Sequence, residues 1–380
     1  MLDTFAVRAA ELIGIGALAL QAASVGIVLF RFARPGPVSA TTGLPPMSLL
    51  RPVCGIENFV EETLASSFAL DYPTYEVVFC VADAADPVVP LVERLMAANT
   101  SVPARLLVGD DPISANPKLN NLAKGWAVAR HDWIVMADSN LLLPPDYLAI
   151  LLARWTPGTG LVSSPPAGVR PAGFWGELEC AFLDSYQARW QLAADEIGNG
   201  FAQGKTLFWR RDILDAAGGP AALGAEMAED LASTKLVRGA GLKVRLVQRP
   251  FAQPIGSREF AEVWRRQLRW SRYRRMGFPG YFAAEILTGS FLPLLLGLAL
   301  VAAGTLAPWV LVALAVAWYL AEAWLARAAG WPVSVRAAVA WLVRDLLLPL
   351  LWLVAWTGSG FAWRGNRMAV GAVPTRLGAD

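Results

Sequence analysis

Residues 133–140 read WIVMADSN: five mainly apolar residues, then a carboxylate, a hydroxyl and an amide. A short apolar run closed by turn formers is the pattern of a strand buried on both faces, and Asp138-Ser139-Asn140 falls at its carboxyl end. The pattern recurs upstream. MSLLRP (47–52) and EVVFCV (76–81) are further apolar runs, the second followed by Asp83 and Asp86, and 105–108 is a short strand. Between them, 57–68, 86–98 (Pro87 in its first turn) and 119–129 carry helical spacing, as does 231–238 further on. Alternating strands and helices predict an α/β layer architecture with a mostly parallel sheet. Ligands of such sheets bind outside the carboxyl ends of the strands, so Asp83, Asp86 and Asp138 become candidate site residues. A carboxylate at a strand end is suited to a hard divalent ion of the Mg²⁺ or Mn²⁺ type beside a diphosphate, although Asp and Asn also simply close strands in turns.

The two ends of the chain read differently. Residues 12–30 are apolar apart from Gln21 and Ser24, about the 20 residues that a membrane helix needs. Arg31 and Arg34 follow, then a Pro/Gly/Ser-rich linker, 35–46. The positive flank lies after the segment, which predicts a retained anchor (1–34) with its C-terminal side cytosolic rather than a cleaved leader. Residues 286–304 and 306–326 predict a helical hairpin, and Arg327 and Arg336 return the chain to the basic side. The run 341–356 contains Arg344, Asp345 and Pro349, so it either spans or lies re-entrant, and its charges are either functional or paired. Trp309, Trp331, Trp341, Trp352, Trp356 and Trp363 match interfacial belts. A multi-pass protein with a cytoplasmic catalytic domain is expected, and the Ala/Arg/Gly-rich style suggests a bacterial inner membrane.

Composition narrows the chemistry. Of 380 residues 55% are hydrophobic, and the mean hydropathy is +0.42, too apolar for a simple soluble enzyme. The net charge of +2 does not point to nucleic acid. His131 is the sole histidine, so His-rich zinc sites and Ser-His-Asp triads lack raw material. Cys54, Cys80 and Cys180 form no Cys-x-x-Cys pair, which suggests reduced thiols. Gly204-Lys205-Thr206 resembles the end of a phosphate-binding P-loop, but that motif requires Gly at 199, which is Asn. Gly198, Gly200 and Gly204 read instead as close backbone approaches lining a site, or as turns.

Asp86, Asp138, Asp230 and then Arg266-Gln267-Leu268-Arg269-Trp270 resemble the D, D, D, (Q/R)xxRW signature of inverting, membrane-bound glycosyltransferases. More narrowly, Arg51-Pro52-x-x-Gly55, Leu70-Asp71-Tyr72-Pro73, Asp86-Pro87, Asn116-Pro117-Lys118-Leu119-Asn120-Asn121-Leu122 and Ala228-Glu229-Asp230 resemble the ceramide glucosyltransferase family. The resemblance covers residues 50–279 and the layout of one anchor before and a hairpin after. It implies a GT-A (Rossmann-like) catalytic domain over 47–257 and an amphipathic interfacial segment over 258–284. A C-terminal membrane region of two to three helices would follow over 285–380. It implies a UDP-sugar donor, with Asp83 and Asp86 at the nucleotide, Lys118 at the diphosphate, Arg266 beside it and a divalent metal on Asp138. Asp230 would be the catalytic base, and Arg269 and Trp270 would close the donor and acceptor site. The chain departs in two places: the metal triplet has one carboxylate, and Tyr186-Gln187 stands where animal members carry His-Pro.

The chemistry fits those residue types. An alcohol attacking an anomeric carbon needs its proton removed, and a carboxylate within hydrogen-bond reach is such a base. Glu229-Asp230 opens a predicted helix, where the macrodipole favours the ionised form and Asp also serves as an N-cap. The stretch 257–275 holds seven arginines with Trp264, Trp270 and Tyr273, an amphipathic segment suited to a membrane surface. Within it, Arg274 and Arg275 are expected to act as a salt-dependent membrane anchor. The leading expectation is hexose transfer, with glucose as the default, from a UDP-sugar to the primary hydroxyl of a ceramide-like lipid at the cytosolic membrane face. A polysaccharide synthase of the same superfamily and a non-catalytic membrane scaffold or transport subunit are the alternatives.

Overall fold

The structure, a computed structural model, describes residues 5–37, 43–358 and 360, with backbone only at 4, 361–363, 366–368 and 375–376. Trp363 therefore lies outside the residues whose side chains are described. The chain forms two compact units. One comprises the described residues of 35–169 and 194–256, and the other those of 1–34, 170–193 and 257–358.

The sheets of residues 47–257 are built on strands β1 (Met47–Pro52), β2 (Tyr75–Val81), β3 (Ala104–Val108), β4 (Trp133–Ala137), β5 (Thr159–Ser163), β6 (Pro166–Ala172), β7 (Thr206–Arg210), β8 (Lys243–Leu246) and β9 (Phe251–Ser257). Seven form one sheet in the order β3-β2-β1-β4-β7-β5-β8, while β6 and β9 pair separately. The β1–β2, β2–β3, β1–β4 and β5–β8 pairings are parallel; β7 runs antiparallel to both neighbours. The expected mostly parallel sheet is thus present, with one reversed strand in its middle. The order also reverses at β1, with β2 on one side and β4 on the other. This is the topological switch point where open α/β sheets bind ligands.

Period-two alternation explains why the strands read as unbroken apolar runs. Leu49, Val77, Phe79 and Val135 pack on one face with Leu64, Val92, Leu95 and Leu148, from helices Val60–Ala65, Val89–Ala98 and Tyr147–Ala153. Leu50, Val78, Cys80, Ile134 and Met136 pack on the other with Leu119, Trp126, Leu214 and Val237, from helices Pro117–Val128, Arg211–Ala216 and Glu229–Gly239. Both faces are dry, and each such side chain contributes ~1.5–3 kcal/mol on burial.

One boundary differs from expectation in a telling way. The helix expected over 86–98 begins at Val89, so Pro90 rather than Pro87 lies in its first turn. The Asp86 carboxylate accepts hydrogen bonds from the Gly55 and Val88 amides at 2.9 Å, which holds 86–88 as a turn.

The second unit holds the apolar helices. Phe5–Ala33, Pro308–Ala329 and Val335–Trp356 are long and apolar enough to cross a membrane. Pro279–Leu287 and Phe291–Ala302, bent by 43° at their break, are a fourth such span or a re-entrant pair. The interruption therefore falls here and not at Pro349, which lies inside a continuous helix. The break at Thr288-Gly289-Ser290 is fixed by polar contacts: the Thr288 hydroxyl donates to the Glu285 carbonyl at 2.6 Å and the Ser290 amide to Asp345 at 3.3 Å.

Residues 170–193 also belong to this unit. The reason is in their contacts. Helix Gly173–Ala181, whose Ala181 carbonyl takes a hydrogen bond from Arg344, continues through a π-helical stretch, Phe182–Ala188, whose Ser185 hydroxyl takes another from the same arginine.

Candidate active site

The Asn-Pro-Lys-x-Asn-Asn run assembles the site because each polar residue has a separate task. Asn116 caps helix Pro117–Val128, accepting from the Lys118 amide at 3.0 Å, and Pro117 occupies the first turn, where a missing N–H is harmless. The Asn116 amide nitrogen also donates to Glu229 at 2.7 Å. Asn120 accepts from the Ser114 amide at 2.9 Å, and Asn121 donates to the Cys80 carbonyl at 2.6 Å, tying the helix to the end of β2.

Capped in this way, the helix presents Lys118 to the carboxyl end of β4. Its ammonium lies 2.6 Å from Asp138, 2.6 Å from Glu229 and 2.6 Å from the Gly204 carbonyl. Asp138 is shared with a second cation, for Lys205 lies 2.9 Å from its other oxygen and donates to Asn140 at 3.0 Å. Burial opposes the charge on Asp138, but Lys118 and Lys205 outweigh it and hold the carboxyl well below its usual range. Burial likewise opposes the charge on Lys118, but Asp138 and Glu229 keep it protonated, above the usual lysine range.

The turn that carries Asp138 is gripped from below. Arg51, fully buried at the end of β1, donates to the carbonyls of Thr63 (2.9 Å), Ser139 (3.3 Å) and Leu141 (3.3 Å). The Thr63 hydroxyl donates to Ser139 at 2.7 Å. Burial lowers the Arg51 guanidinium to about 10, so it stays charged at neutral pH.

Asp230 joins the cluster through Gly204, whose amide donates to its Oδ2 at 2.9 Å. A Cβ at Gly204 would lie 2.7 Å from the Glu229 carboxylate and 3.4 Å from that of Asp230, so a side chain there would have to displace Glu229 from its place beside Lys118. Gly200 is close to the Val244 carbonyl and Gly198 has φ +82°; the close approach expected of all three glycines serves the cluster only at 204. Helix Glu229–Gly239 has Ala228 as its N-cap residue, so Asp230 lies inside the first turn and is not the cap. Its carboxyl is pushed up to about 6, by burial first and by the Glu229 charge second, against the Gly204 and Leu231 amides. The ionised form expected from helix position alone is thus disfavoured by its surroundings.

The sequence candidates Lys118, Asp138 and Asp230 therefore meet at one place. Asp86 lies at the end of β2, where it ties Gly55 of the loop after β1 to the turn after β2, and Asp83 is exposed beside it. Arg266, Arg269 and Trp270 lie in the second unit, on helix Phe260–Gly277. There Arg266 forms an ion pair with the buried Glu179, and Gln187 donates to Gln267 at 2.8 Å. Sequence reasoning missed Lys205, dismissed together with the P-loop, and the contacts of Glu229. The register of β4 against β7 pairs Ala137 with Thr206 and so sets Asp138 next to Lys205.

The donor set bears on a metal. Among the described residues no three of His, Cys, Asp and Glu come together in a metal-holding group. A Mg²⁺- or Mn²⁺-type ion usually needs only one or two carboxylates plus substrate phosphate. Asp138, with Asn140 beside it, fits an ion of that kind.

The profile of Glycosyl transferase family 21 matches residues 7–375. Among curated proteins the chain is similar to ceramide glucosyltransferase 1 of Caenorhabditis elegans, 25% identical over 244 residues, which are 64% of this chain and 52% of that protein. It is also similar to the ceramide glucosyltransferase of Komagataella phaffii (strain GS115 / ATCC 20864), 38% identical over 109 residues, 27% of this chain and 21% of that protein. The matched region is about half the length of the nematode relatives. Among solved structures, the chain resembles mannosyltransferase PcManGT from Pyrobaculum calidifontis, determined with GDP-Man and Mn²⁺. The TM-score is 0.53 at 18% identity, covering 88% of this chain and 99% of that one. That likeness is one of fold, a GT-A-like mixed α/β sheet. With the family profile spanning nearly its whole length, the chain belongs to Glycosyl transferase family 21.

Proposed function

We propose that the chain transfers a hexose, glucose by default, from a UDP-sugar to the primary hydroxyl of a ceramide-like lipid at the cytosolic face of a membrane, with inversion at the anomeric carbon. The observation that carries this reading is the Asp230 carboxyl, raised to about 6 and set through Gly204 beside the Lys118–Asp138–Lys205 cations and carboxylate at the sheet's switch point. A base of that pKa is mostly ionised at neutral pH yet basic enough to accept a proton in the transition state. The acceptor oxygen forms a bond to the anomeric carbon, the carbon–phosphate oxygen bond breaks, the proton goes to Asp230 and UDP departs. Lys118 and Lys205 are cations suited to the negative charge that accumulates on the leaving diphosphate. A divalent ion held by Asp138 and Asn140 together with that diphosphate would add Lewis-acid neutralisation. Asp83 and Asp86 are assigned to the nucleotide, and Arg266, Arg269 and Trp270 to the donor and acceptor.

The lipid acceptor is supported by the ceramide glucosyltransferases to which the chain is similar and by its three long apolar helices. The nucleotide-sugar and the metal are supported by the GDP-Man and Mn²⁺ of the mannosyltransferase that shares the fold. The test is transfer by the full chain in nanodiscs, offered radiolabelled UDP-glucose, UDP-galactose or GDP-mannose with ceramide. A lipid product bearing one sugar, with inverted linkage, is expected from a UDP donor. A polymeric product, or donor consumption indifferent to lipid, would refute the reading.

A further inference from the structure

The two lysines on Asp138 have different partners. Lys118 is fixed by two carboxylates and a backbone carbonyl, each at 2.6 Å. The ammonium of Lys205 is held at Asp138 Oδ2 and at Asn140 Oδ1, both from the turn that ends β4. The backbone of Lys205 is anchored, because the Asp138 amide donates to the Lys205 carbonyl at 3.0 Å. The residue before it is anchored as well, with the Gly204 amide on Asp230 and its carbonyl on Lys118. Any change at Lys205 is therefore confined to its flexible four-carbon stem.

Charge decides what that stem does. Lys118, Lys205, Asp138 and Glu229 sum to zero, and an ionised Asp230 beside them brings the cluster to one net negative charge. A divalent ion placed alone on Asp138 must displace one ammonium and then faces two of them. A nucleoside diphosphate placed alone competes with Asp138 for the same ammoniums. Bound together, ion and diphosphate each find an opposite charge: the ion takes Asp138, and the displaced lysine takes phosphate.

We propose that Lys205 is the built-in counter-cation of Asp138 and passes to the donor's diphosphate when a divalent metal takes that carboxylate, so that metal and nucleotide bind as a coupled pair. Lys205 thereby acts as a positioning residue for the metal and a binding residue for the leaving group. The proposal rests on the donor reading above, but part of its test does not.

The experiment measures free Mn²⁺ by electron paramagnetic resonance and UDP binding by calorimetry on the full chain in nanodiscs, without any turnover. In the unsubstituted protein, saturating UDP is expected to tighten Mn²⁺ by a factor in the range of roughly 5–150, with Mn²⁺ tightening UDP by the same factor. Lys205→Met keeps the apolar stem and removes the charge. It should bind Mn²⁺ alone more tightly than the unsubstituted protein, bind UDP alone more weakly, and lower the coupling factor to the part that direct contact between ion and diphosphate supplies. Lys205→Arg keeps a cation on Asp138 and should retain weak binding of Mn²⁺ alone. Circular dichroism checks that each variant is folded. Unchanged Mn²⁺ affinity in folded Lys205→Met, or an unsubstituted protein without coupling, overturns the proposal; the second measurement stands even where the Met variant does not fold. Failure of UDP to bind with or without Mn²⁺ would refute the donor reading instead, and the comparison of Mn²⁺ alone would still decide whether Lys205 guards Asp138.

Discussion

At Asp230, burial and the Glu229 carboxylate oppose ionisation while the Gly204 amide, the Lys118 charge and the Leu231 amide favour it, and the first pair wins. The sign of the pH dependence follows. The base is active when ionised, so kcat/KM should fall with unit slope as pH drops below about 6. Glu229→Gln removes the like charge and should move that acid limb to lower pH; a limb that stays in place would show that Glu229 does not set it. Asp230→Asn should lower transfer by at least about 10²-fold, as for loss of a general base, with UDP binding retained in calorimetry. Near-normal turnover in that variant would remove Asp230 from the role. Asp138 was legible in the sequence because a strand end is a local feature, and Lys118 and Asp230 through the resemblance that their motifs carry. Lys205 was not, because its meaning comes from β7 lying antiparallel to β4, and a motif test that correctly rejected a P-loop gave no reason to look again at the lysine. The raised pKa of Asp230 was equally hidden, since helix position is visible along the chain and burial is not.

Helix Phe260–Gly277 shows the same contrast at the scale of an element. Its composition read as an amphipathic surface segment, and it does begin with a capping box between Glu259 and Glu262. Its last-turn arginines, however, make tertiary ties. Arg274 pairs with Glu285 through two bonds of 2.7 and 3.0 Å, and Arg275 donates to the Trp356 and Gly358 carbonyls at 3.0 Å. These ties give the two residues a tertiary role that the expected salt-dependent anchor did not include. Arg274→Ala should lower the unfolding midpoint by a few degrees while leaving the salt dependence of membrane association unchanged. Arg269→Lys keeps the charge but loses the bidentate fork. It should lower transfer by at least about tenfold with the unfolding midpoint unchanged. Flotation with vesicles, thermal unfolding and a transfer assay on both variants check this division; similar behaviour of the two would refute it.

At the scale of the whole molecule, the costliest arrangement is the set of charges among the apolar helices. Arg189, Glu322, Arg344 and Asp345 are each 1% exposed or less. Arg344 contacts Glu322 at 2.9 and 3.0 Å, Asp345 at 2.8 Å and the Ser185 hydroxyl at 2.7 Å. Arg189 lies 3.9 Å from Glu322 and donates to Gln21. Four segments distant in sequence thus share one neutral group of two cations and two carboxylates. The sequence left Arg344 and Asp345 open between function and pairing, because Glu322 lies in another helix and no local pattern links them. The buried network decides for pairing. Removing one member leaves an uncompensated buried charge, which costs about 3–5 kcal/mol, whereas removing a matched pair can be nearly neutral. Arg344→Met should therefore yield little monodisperse protein in detergent and a much lower unfolding midpoint. Adding Asp345→Asn leaves Arg189 opposite Glu322, restores neutrality, and should recover most of the loss even though a second native residue is gone. If the double variant is as damaged as the single one, the network acts through the particular hydrogen bonds of Arg344 and not through its charge balance.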